Sequence, residues 1–485
     1  VVLLWSAWVS TDEGEVEAAK RLGLGAGLVF VSFLLPLLLP GFLGVALGLI
    51  LVLASIGAGL AFILPRQREE LLELGSPVPG VDERDIMFSR AALVPGTERF
   101  EAYYRSRPEN RGPDDKFREE PGLLSPGTAH FHRHGFAAAD AAFWTIEMLR
   151  PFVEGDSGSV AGGNGMPPAR DEEEGEVGHP SSTGMKLGGE PASVAGLGAA
   201  ADDPAALSLF LKEWALKMGA HSAGVTELRD YHLYTHVGRG DDYGEEVALS
   251  HTHALAITVE MDKEMVDRAP RSPTAMESAL QYVRCGVMAV QLADLIRRLG
   301  YQARAHVDGL YRVICPLVAR DAGLGELGRM GLLMTPRLGP RVRIAVVTTD
   351  FPLAIDPVQP DPTTIDFCLQ CNKCAECCPS QAISMGPPEE DENGVLRWKI
   401  DSEACFTLWG RLGTDCARCM AVCPYSHPDN ALHAFVRWGI RNNELVRKGS
   451  VWMDDLIYGR RPPPKEPLGW MEFSTTAESK GDPLG

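Results

Sequence analysis

The stretch FCLQCNKCAECCPSQAIS, residues 367–384, holds five cysteines within eleven positions. Without Cys377 its spacing is Cys368-x2-Cys371-x2-Cys374-x3-Cys378, and a proline follows. A second group lies downstream in CFTLWGRLGTDCARCMAVCP, residues 405–424, where a proline again follows the last cysteine. Its members are Cys405, Cys416, Cys419 and Cys423. These two groups decide how the C-terminal part of the chain folds, because so many thiols must share one function.

The spacing of the first group is typical of bacterial ferredoxins with two 4Fe–4S clusters, in which the fourth cysteine binds the other cluster. Two clusters with four thiolates each require eight cysteines, and the two groups supply eight without Cys377. The proline after each group stops the chain from continuing as a helix. The crossed arrangement predicts one cluster on Cys368, Cys371, Cys374 and Cys423. It predicts the second on Cys378, Cys405, Cys416 and Cys419.

Zinc and disulfide bonds are the other uses of closely spaced cysteines. Zinc takes four ligands, and two groups of four with Cys-x3-Cys-Pro endings exceed that pattern. Disulfides at this density are typical of short secreted domains, whereas this chain has 485 residues. We therefore expect two iron–sulfur clusters, with Cys285, Cys315 and Cys377 as ordinary buried thiols outside them.

A run of 44 residues without a charged side chain lies between Arg21 and Arg66. A membrane-spanning helix needs about 20 apolar residues, so the run is long enough for two. Pro40-Gly41 supplies a turn and predicts spans at about 22–39 and 41–64. Positive residues flank both ends, which favours the cytoplasmic side for a two-pass hairpin. We expect a multi-pass protein of the cell membrane; one long buried core helix is the alternative.

The remaining sequence has the character of a soluble protein. Hydrophobic residues make up 45% of the chain, which is enough for a globular core. The net charge of −19 argues against nucleic acid as a partner, because phosphate binding requires a basic surface. The chain begins at Val1 rather than methionine, so we expect it to be a fragment. Periodicity predicts helices at 204–219 and 274–300, and strands at 253–261, 302–307 and 341–350.

Six blocks outside the cysteine groups have the order and spacing of a known enzyme family. They are DERDIMFSR (82–90), SPGT (125–128), YTHVGRG (234–240), RRLGYQARAH (297–306), GLGELGRMGLLMTPRLGPRVRIAVVTTDFPL (323–353) and DDLIYGRRP (454–462). With these blocks the chain resembles the catalytic subunit of reductive dehalogenases over nearly everything after residue 80. The resemblance implies reductive cleavage of a carbon–halogen bond of an organohalide, with two electrons from an upstream low-potential donor and one proton.

The resemblance also implies a fold and a cofactor. The expected fold is an α/β (α+β) nitroreductase-like domain that binds base-off cobalamin, followed by a ferredoxin-like domain with two clusters. In RAHVDG, Arg304 stands where the corrinoid motif Asp-x-His-x-x-Gly requires aspartate, so His306 is not expected to bind cobalt. The predicted segments are an anchor at 1–70, the N-terminal part of the catalytic unit at 71–153, a flexible low-complexity loop at 154–204, the cobalamin domain at 205–355, the cluster domain at 356–435 and a C-terminal segment at 436–485.

The same resemblance implies roles for individual residues. The family's proton-donating tyrosine matches Tyr282, its cationic partner matches Arg343, and a third polar position matches Asp308. A tyrosine with a pKa of about 10 keeps its proton at neutral pH, and a nearby cation stabilises the phenolate left after transfer. Corrinoid contacts are implied for the YTHVGRG block, at Tyr234, His236, Gly238 and Arg239.

Two other functions are compatible with part of this pattern. Epoxyqueuosine reductase has the same cofactors and acts on tRNA, but the predicted spans and the charge of −19 both oppose it. A membrane-bound ferredoxin-type electron carrier would explain the cysteines and spans, but would leave the long α/β region without a function. The spans in the chain itself indicate a membrane-integrated subtype of dehalogenase.

Overall fold

The computed structural model describes residues 2–39, 41–64, 71–75, 77–154, 203–358, 361–391 and 394–472. Residues 155–202 of the predicted flexible loop lie outside the described residues. The chain passes from N-terminal apolar helices through a mixed helix and strand region to a mainly helical C-terminal region.

The uncharged run folds as two helices with a short connection between them. The N-terminal helices are α1 (Val2–Asp12), α2 (Val16–Leu38) and α3 (Phe42–Ile63). Gly41 has a left-handed φ of 58°, and a Cβ on Gly44 would lie 2.4 Å from the Pro36 carbonyl oxygen. Both glycines are therefore required for the tight return of the chain. Helix α2 is long and apolar enough to cross a membrane, and it is almost wholly exposed.

The central region folds around a four-stranded sheet. Its strands lie in the order β1-β2-β6-β3, and every neighbouring pair is antiparallel, so α+β describes it and α/β does not. The elements are α9 (Pro204–Met218), β1 (Ser222–Glu227), β2 (His253–Glu260), α10 (Lys263–Val266), α11 (Ser272–Arg298), β3 (Ala303–His306), α12 (Cys315–Asp321), β4 (Glu326–Leu327), β5 (Leu333–Met334) and β6 (Val342–Thr349). The predicted helices and strands are confirmed to within two residues at each end.

The two faces of the sheet bury different sets of side chains because strand residues alternate between faces. On β2, Leu255 and Ile257 pack in the larger core with α9 and α11, whereas Ala254 and Ala256 face α12 on the other side. Helix α11 also meets the length and composition of a membrane span, but half of it is buried. It is the central core helix of this region.

The N-terminal part of the predicted catalytic unit packs against both later regions. Its helices are α4 (Met87–Ala91), α5 (Glu98–Ser106), α6 (Arg111–Arg118), α7 (Arg133–Glu147) and α8 (Arg150–Val153). Helix α7 lies close to α11 because Ala139, Ala275 and Ala279 meet at the contact. The buried Arg90 bonds to Asp114 and, at 2.7 Å, to Glu403 near the second cysteine group.

The C-terminal region is mainly helical. Its elements are α13 (Pro362–Cys371), α14 (Lys373–Glu376), β7 (Glu389–Glu390), β8 (Leu396–Arg397), α15 (Ser402–Leu412), α16 (Arg418–Ala421), α17 (Ala431–Asn442) and α18 (Glu444–Tyr458). Its core joins Phe367, Tyr425 and Ile440 to Met330 and Met334 from the central region. The two regions therefore share one buried interface, which contains cysteines of both groups.

Candidate active site and cluster-binding cysteines

The first group of cysteines surrounds a sharp reversal of the backbone. Helix α13 ends at Cys371, and Asn372 follows in the left-handed region with φ of 54°. The short helix α14 then carries Cys374 back beside Cys371. An equivalent turn precedes α16, where Cys416 and Ala417 have φ of 55° and 48°. Strained non-glycine residues at both turns indicate that the surrounding structure holds each pair of sulfurs in place.

The electrostatic neighbours of the thiols agree in large part with the predicted crossed arrangement. Burial raises the pKa of the Cys423 thiol, and the neighbouring sulfurs of Cys371, Cys368 and Cys374 raise it further. Burial likewise raises the pKa of Cys419, and the sulfurs of Cys416, Cys374 and Cys405 raise it further. The sulfur of Cys378 belongs to this second neighbourhood, because it raises the pKa of both Cys405 and Cys416. All four thiols of the first predicted set and Cys416 of the second are buried, whereas Cys378, Cys405 and Cys419 are partly exposed. A cationic metal centre would deprotonate such thiols.

The three remaining cysteines lie outside these sets. The Cys377 thiol donates to the Arg460 carbonyl oxygen at 3.7 Å. Cys285 and Cys315 are buried in the two cores of the central region. Among the described residues, no His, Cys, Asp or Glu side chains form a site for a single metal ion.

A buried arginine lies beside the first set of sulfurs. Arg329 is 1% exposed and donates only to backbone carbonyls, including that of Cys368 at 3.1 Å and that of Ser384 at 2.7 Å. No carboxylate lies within ion-pair distance of it in the part of the chain that is described. Burial lowers the pKa of Arg329, whereas Cys374 and the neighbouring sulfurs raise it. Its positive charge is thus compensated by the cysteines rather than by an acid.

A cavity of about 990 Å³ lies between the central and C-terminal regions. The residues that border it come from five stretches of the chain. They include Phe88, Tyr234, Arg239, Tyr282, Asp308, Tyr311, Cys405, Phe406 and Trp409. One cavity therefore touches two of the predicted catalytic residues, two of the predicted corrinoid contacts and one predicted cluster ligand.

The predicted proton donor and its cationic partner are in contact. Arg343 lies on the same face of β6 as Ala345 and Val347, towards α11, which carries Tyr282. The guanidinium carbon of Arg343 lies 4.7 Å from the centre of the Tyr282 ring. Burial raises the pKa of Tyr282 to about 12, and the charge of Arg343 opposes this rise. The phenol therefore keeps its proton well above neutral pH.

Two side chains that the sequence analysis did not identify, Ser278 and Asp415, bind Arg343. Its Nη2 donates to Ser278 Oγ at 2.5 Å and to Asp415 Oδ2 at 3.0 Å, and Ser278 also donates to Asp415. Ser278 lies one helical turn before Tyr282, so its position in the sequence predicts that both side chains lie on one face of α11. Asp415 had no such signal, because only the fold brings it next to β6. It directly precedes Cys416, so one loop serves both the arginine and a cluster cysteine.

The third predicted polar residue, Asp308, borders the same cavity. It follows β3 closely, at the end of the sheet where Tyr282 and Arg343 meet. Burial raises the pKa of the Asp308 carboxyl, while the charges of Arg239 and Arg343 oppose that rise. The aspartate thus borders the cavity and is influenced by the charges of both arginines.

A buried glutamate of the DERDIMFSR block accepts hydrogen bonds from the YTHVGRG block. Glu83 accepts from the Gly238 backbone N–H at 2.8 Å and from Arg239 Nη2 at 3.1 Å. A Cβ on Gly238 would lie 2.4 Å from the Glu83 carbonyl oxygen, so this approach requires glycine. Tyr234 and Arg239 reach the cavity, whereas His236 lies 3.6 Å from Asp82 and does not border it. The role of Glu83 was not predicted.

His306 is engaged on both ring nitrogens. Its Nε2 lies 2.9 Å from Thr348 Oγ1, and its Nδ1 accepts from the Arg312 backbone N–H at 3.2 Å. Burial lowers the pKa of His306 well below its usual value. Neither nitrogen is directed into the cavity, and no histidine is among the described residues that border it.

The region that contains both cysteine groups matches a known protein family. Residues 367–427, which contain both cysteine groups, match the 4Fe-4S dicluster domain family. The prediction of an iron–sulfur domain is thereby confirmed.

Part of the chain is also similar in sequence to reductive dehalogenases. It is 34% identical over 217 residues to a tetrachloroethene reductive dehalogenase of Sulfurospirillum multivorans, covering 43% of this chain and 42% of the relative. It is 36% identical over 160 residues to a trichloroethene reductive dehalogenase of Dehalococcoides mccartyi, covering 31% and 27%. The match to the first of these relatives thus spans about two fifths of its length.

The fold is shared with a solved structure, that of the catabolic reductive dehalogenase NpRdhA. The TM-score is 0.57 at 22% identity, and the match covers 82% of this chain and 49% of that one. An epoxyqueuosine reductase of Pseudomonas aeruginosa is 23% identical over 295 residues, covering 53% of this chain and 80% of that relative. The similarity to dehalogenases is therefore the stronger one in sequence.

The two sets of sulfurs lead to a prediction about iron content. The intact protein should hold about eight iron atoms, four for each cluster. Replacing Cys371 with alanine should remove roughly half of the iron, because one cluster loses a ligand, whereas Cys377→Ala should leave the content unchanged. Iron and acid-labile sulfide, measured on protein purified without oxygen, test this. Loss of iron in Cys377→Ala together with full retention in Cys378→Ala would show that the assignment is wrong.

The position of Arg329 leads to a prediction about reduction potential. A buried cation favours the more negative, reduced state of a nearby cluster, so Arg329→Gln should lower one midpoint potential. The expected shift is roughly 60 mV, which is a tenfold change in a one-electron equilibrium. Potentiometric titration followed by electron paramagnetic resonance measures both clusters, and the second is the internal control. Equal shifts of both potentials, or of neither, would contradict this role.

Proposed function

We propose that the chain is a reductive dehalogenase, which replaces a halogen of an organohalide with hydrogen using two electrons and one proton. The single observation that carries this proposal is the cavity of about 990 Å³ that borders both Tyr282 and Cys405. The proposed proton source, Tyr282, and a cysteine of the proposed electron source thus border one cavity that is large enough for a substrate. A simple electron carrier has no need for such a cavity, and homology to the dehalogenases supports the same reaction.

The residues around the cavity fit base-off cobalamin. The cavity volume is at the upper end of the range for small-molecule sites, as a large flat cofactor requires. Tyr234 and Arg239 would hold the corrinoid at one side, and the absence of histidine from the described lining fits cobalt without an imidazole ligand. When bound, the corrinoid would supply the reduced metal centre at which the carbon–halogen bond breaks.

The two sets of cysteines fit a path for single electrons. Cys405 of the second set borders the cavity, and Cys374 of the first set is a neighbour of Cys419 in the second. Electrons from a low-potential donor would therefore enter at the Cys368 set and leave from the Cys405 set. Two successive transfers supply the electron pair of the reaction.

Tyr282 would supply the proton. Addition of two electrons with departure of halide leaves carbanion character on carbon, which takes the proton from the phenol oxygen. The resulting phenolate lies against Arg343, whose positive charge stabilises it. Burial lowers the pKa of Arg343, but Tyr282, Asp415 and Asp308 raise it by more, so the cation persists. Ser278 and Asp415 position the guanidinium without touching the substrate.

The chain would act at a membrane. The two apolar helices α2 and α3 form a hairpin, and we propose that both cross the bilayer with their open ends on the cytoplasmic side. The exposed apolar side chains of α2 and α3 would then contact lipid. The alternative activity on tRNA would require a basic surface, which a net charge of −19 does not favour.

Replacement of Tyr282 with phenylalanine tests the proposed reaction. Halide release from an organohalide panel, assayed after anaerobic reconstitution with cobalamin, should fall by roughly 10²–10⁴-fold, because the positioned acid is lost. Arg343→Lys should be less harmful than Arg343→Ala, since it keeps the cation. Corrinoid and iron content should not change in Tyr282→Phe.

Tyr301→Phe is the matched control for this experiment. It removes the same oxygen from a tyrosine that packs against Phe351, with ring centres 4.4 Å apart, away from the cavity. Its halide release should equal that of the unaltered protein. Normal turnover in Tyr282→Phe with both cofactors bound would mean that another group delivers the proton. No halide release by the unaltered, fully loaded protein would refute the proposed function.

Membrane extraction tests the hairpin. Apolar burial is not weakened by screening, so the full chain should stay with the membrane in high salt and at alkaline pH. Sedimentation of treated membranes and immunoblotting measure the retained fraction. Release by salt alone would show that the hairpin does not span the bilayer.

A further inference from the structure

The last long helix, α18, has its polar and apolar faces reversed. Its buried face carries Arg447 and Asp454, whereas Leu445, Trp452 and Leu456 are between 48% and 64% exposed. These three lie at positions i, i+7 and i+11, which form one continuous stripe on a helix. A surface helix of a soluble protein normally buries such a stripe and exposes its charges.

Helix α17 has the same reversal. His433 and Arg437 are buried, while Phe435 and Trp438 are exposed and stack on each other with ring centres 6.0 Å apart. The two helices pack together, and each exposes apolar side chains that include aromatic rings. We call these side chains of α17 and α18 the aromatic face.

The aromatic face lies beside the open end of the apolar hairpin. Near the start of α2, Arg21 Nη1 donates to the carbonyl oxygens of Leu456 and Ile457, both at 3.1 Å. After α3, the Leu64 carbonyl oxygen accepts from Asn443 Nδ2 at 2.7 Å. The two ends of the hairpin thus meet opposite ends of α18, which is roughly 22 Å long at 1.5 Å per residue. Helix α18 therefore runs across the base of the hairpin.

We propose that the aromatic face lies in the interfacial layer of the lipid bilayer, as a membrane contact additional to the hairpin. This inference rests on the proposed spans: a helix that crosses the base of a spanning hairpin lies in the plane of the membrane surface. Tryptophan is the residue enriched at that depth, and an outward apolar stripe is what an interfacial helix inserts. Continuity with α2 and α3 identifies lipid, rather than a partner protein, as the occupant.

This placement sets the order in which the clusters lie below the membrane. Asp454, on the inner face of α18, is paired with Lys373, the residue before Cys374. The Cys368 set is then separated from the lipid by about one helix diameter, which is about 10 Å. The Cys405 set lies farther along, at the cavity. Electrons would enter from the membrane side and move towards the cavity.

Quenching of tryptophan fluorescence by brominated lipid tests the inference. The full, cofactor-loaded chain is reconstituted into phosphatidylcholine vesicles with or without bromine near the headgroup. The emission of Trp452 is the difference between the unaltered protein and Trp452→Phe, and bromine should quench it strongly. The emission of Trp438, obtained in the same way with Trp438→Phe, should also be quenched strongly. The ratio of the emission with bromine to the emission without it compares the same protein in two lipids, so quenching by the clusters cancels. Phenylalanine keeps the surface apolar and should not disturb folding.

Trp144→Phe is the matched control, because Trp144 is 65% exposed and Trp452 is 64% exposed, but Trp144 lies on α7 in the catalytic part. The emission removed with Trp144 should be unaffected by bromine. If the Trp452 and Trp438 components are also unaffected, the proposal is wrong, and a protein partner or water covers the face. No organohalide is used, so this outcome is independent of failure to release halide.

Discussion

The structure depends on gathering eight cysteine sulfurs, five of them buried, near one interface. A buried thiol does not ionise readily, and neighbouring thiolates make ionisation harder still. The two sets of sulfurs can therefore all be thiolates only when positive charge lies among them. In the proposed clusters iron would supply most of that charge, and Arg329 adds a cation that no acid neutralises within the described residues. Much of the C-terminal region holds these groups in place.

The same constraint links the cluster region to the catalytic one. Asp415 ends the loop that presents Cys416, and its carboxylate also holds Arg343 beneath Tyr282. A displacement of this loop would therefore disturb a cluster ligand and the cation that stabilises the phenolate together. Because Met330 and Met334 lie in the core with Phe367 and Tyr425, the two regions cannot separate without exposing apolar surface. In the proposed reaction, electron delivery and proton delivery would both depend on this interface.

The inner and outer faces of helices α17 and α18 have different surroundings. Their inner face meets charged and polar groups near the first set of sulfurs, where Asp454 pairs with Lys373 and lies 2.9 Å from His427 Nε2. Their outer face presents aromatic side chains that water does not stabilise. A strongly acidic protein has little electrostatic attraction to an anionic membrane, so apolar contact is the form of attachment that suits it.

Local patterns in the sequence were enough for the elements and the cysteine groups. Spacing alone predicted which cysteines would lie together, because an i, i+3 turn brings sulfurs onto one side of the backbone. The 44-residue uncharged run predicted two helices, and alternation predicted the strands that carry Arg343 and precede Asp308. What only the tertiary structure decided were contacts between distant segments. Examples are Glu83 with Gly238, Asp415 with Arg343, and the two ends of the hairpin with α18. Such contacts leave no periodic trace in a sequence, since they depend on how packed elements meet rather than on the order of neighbouring residues.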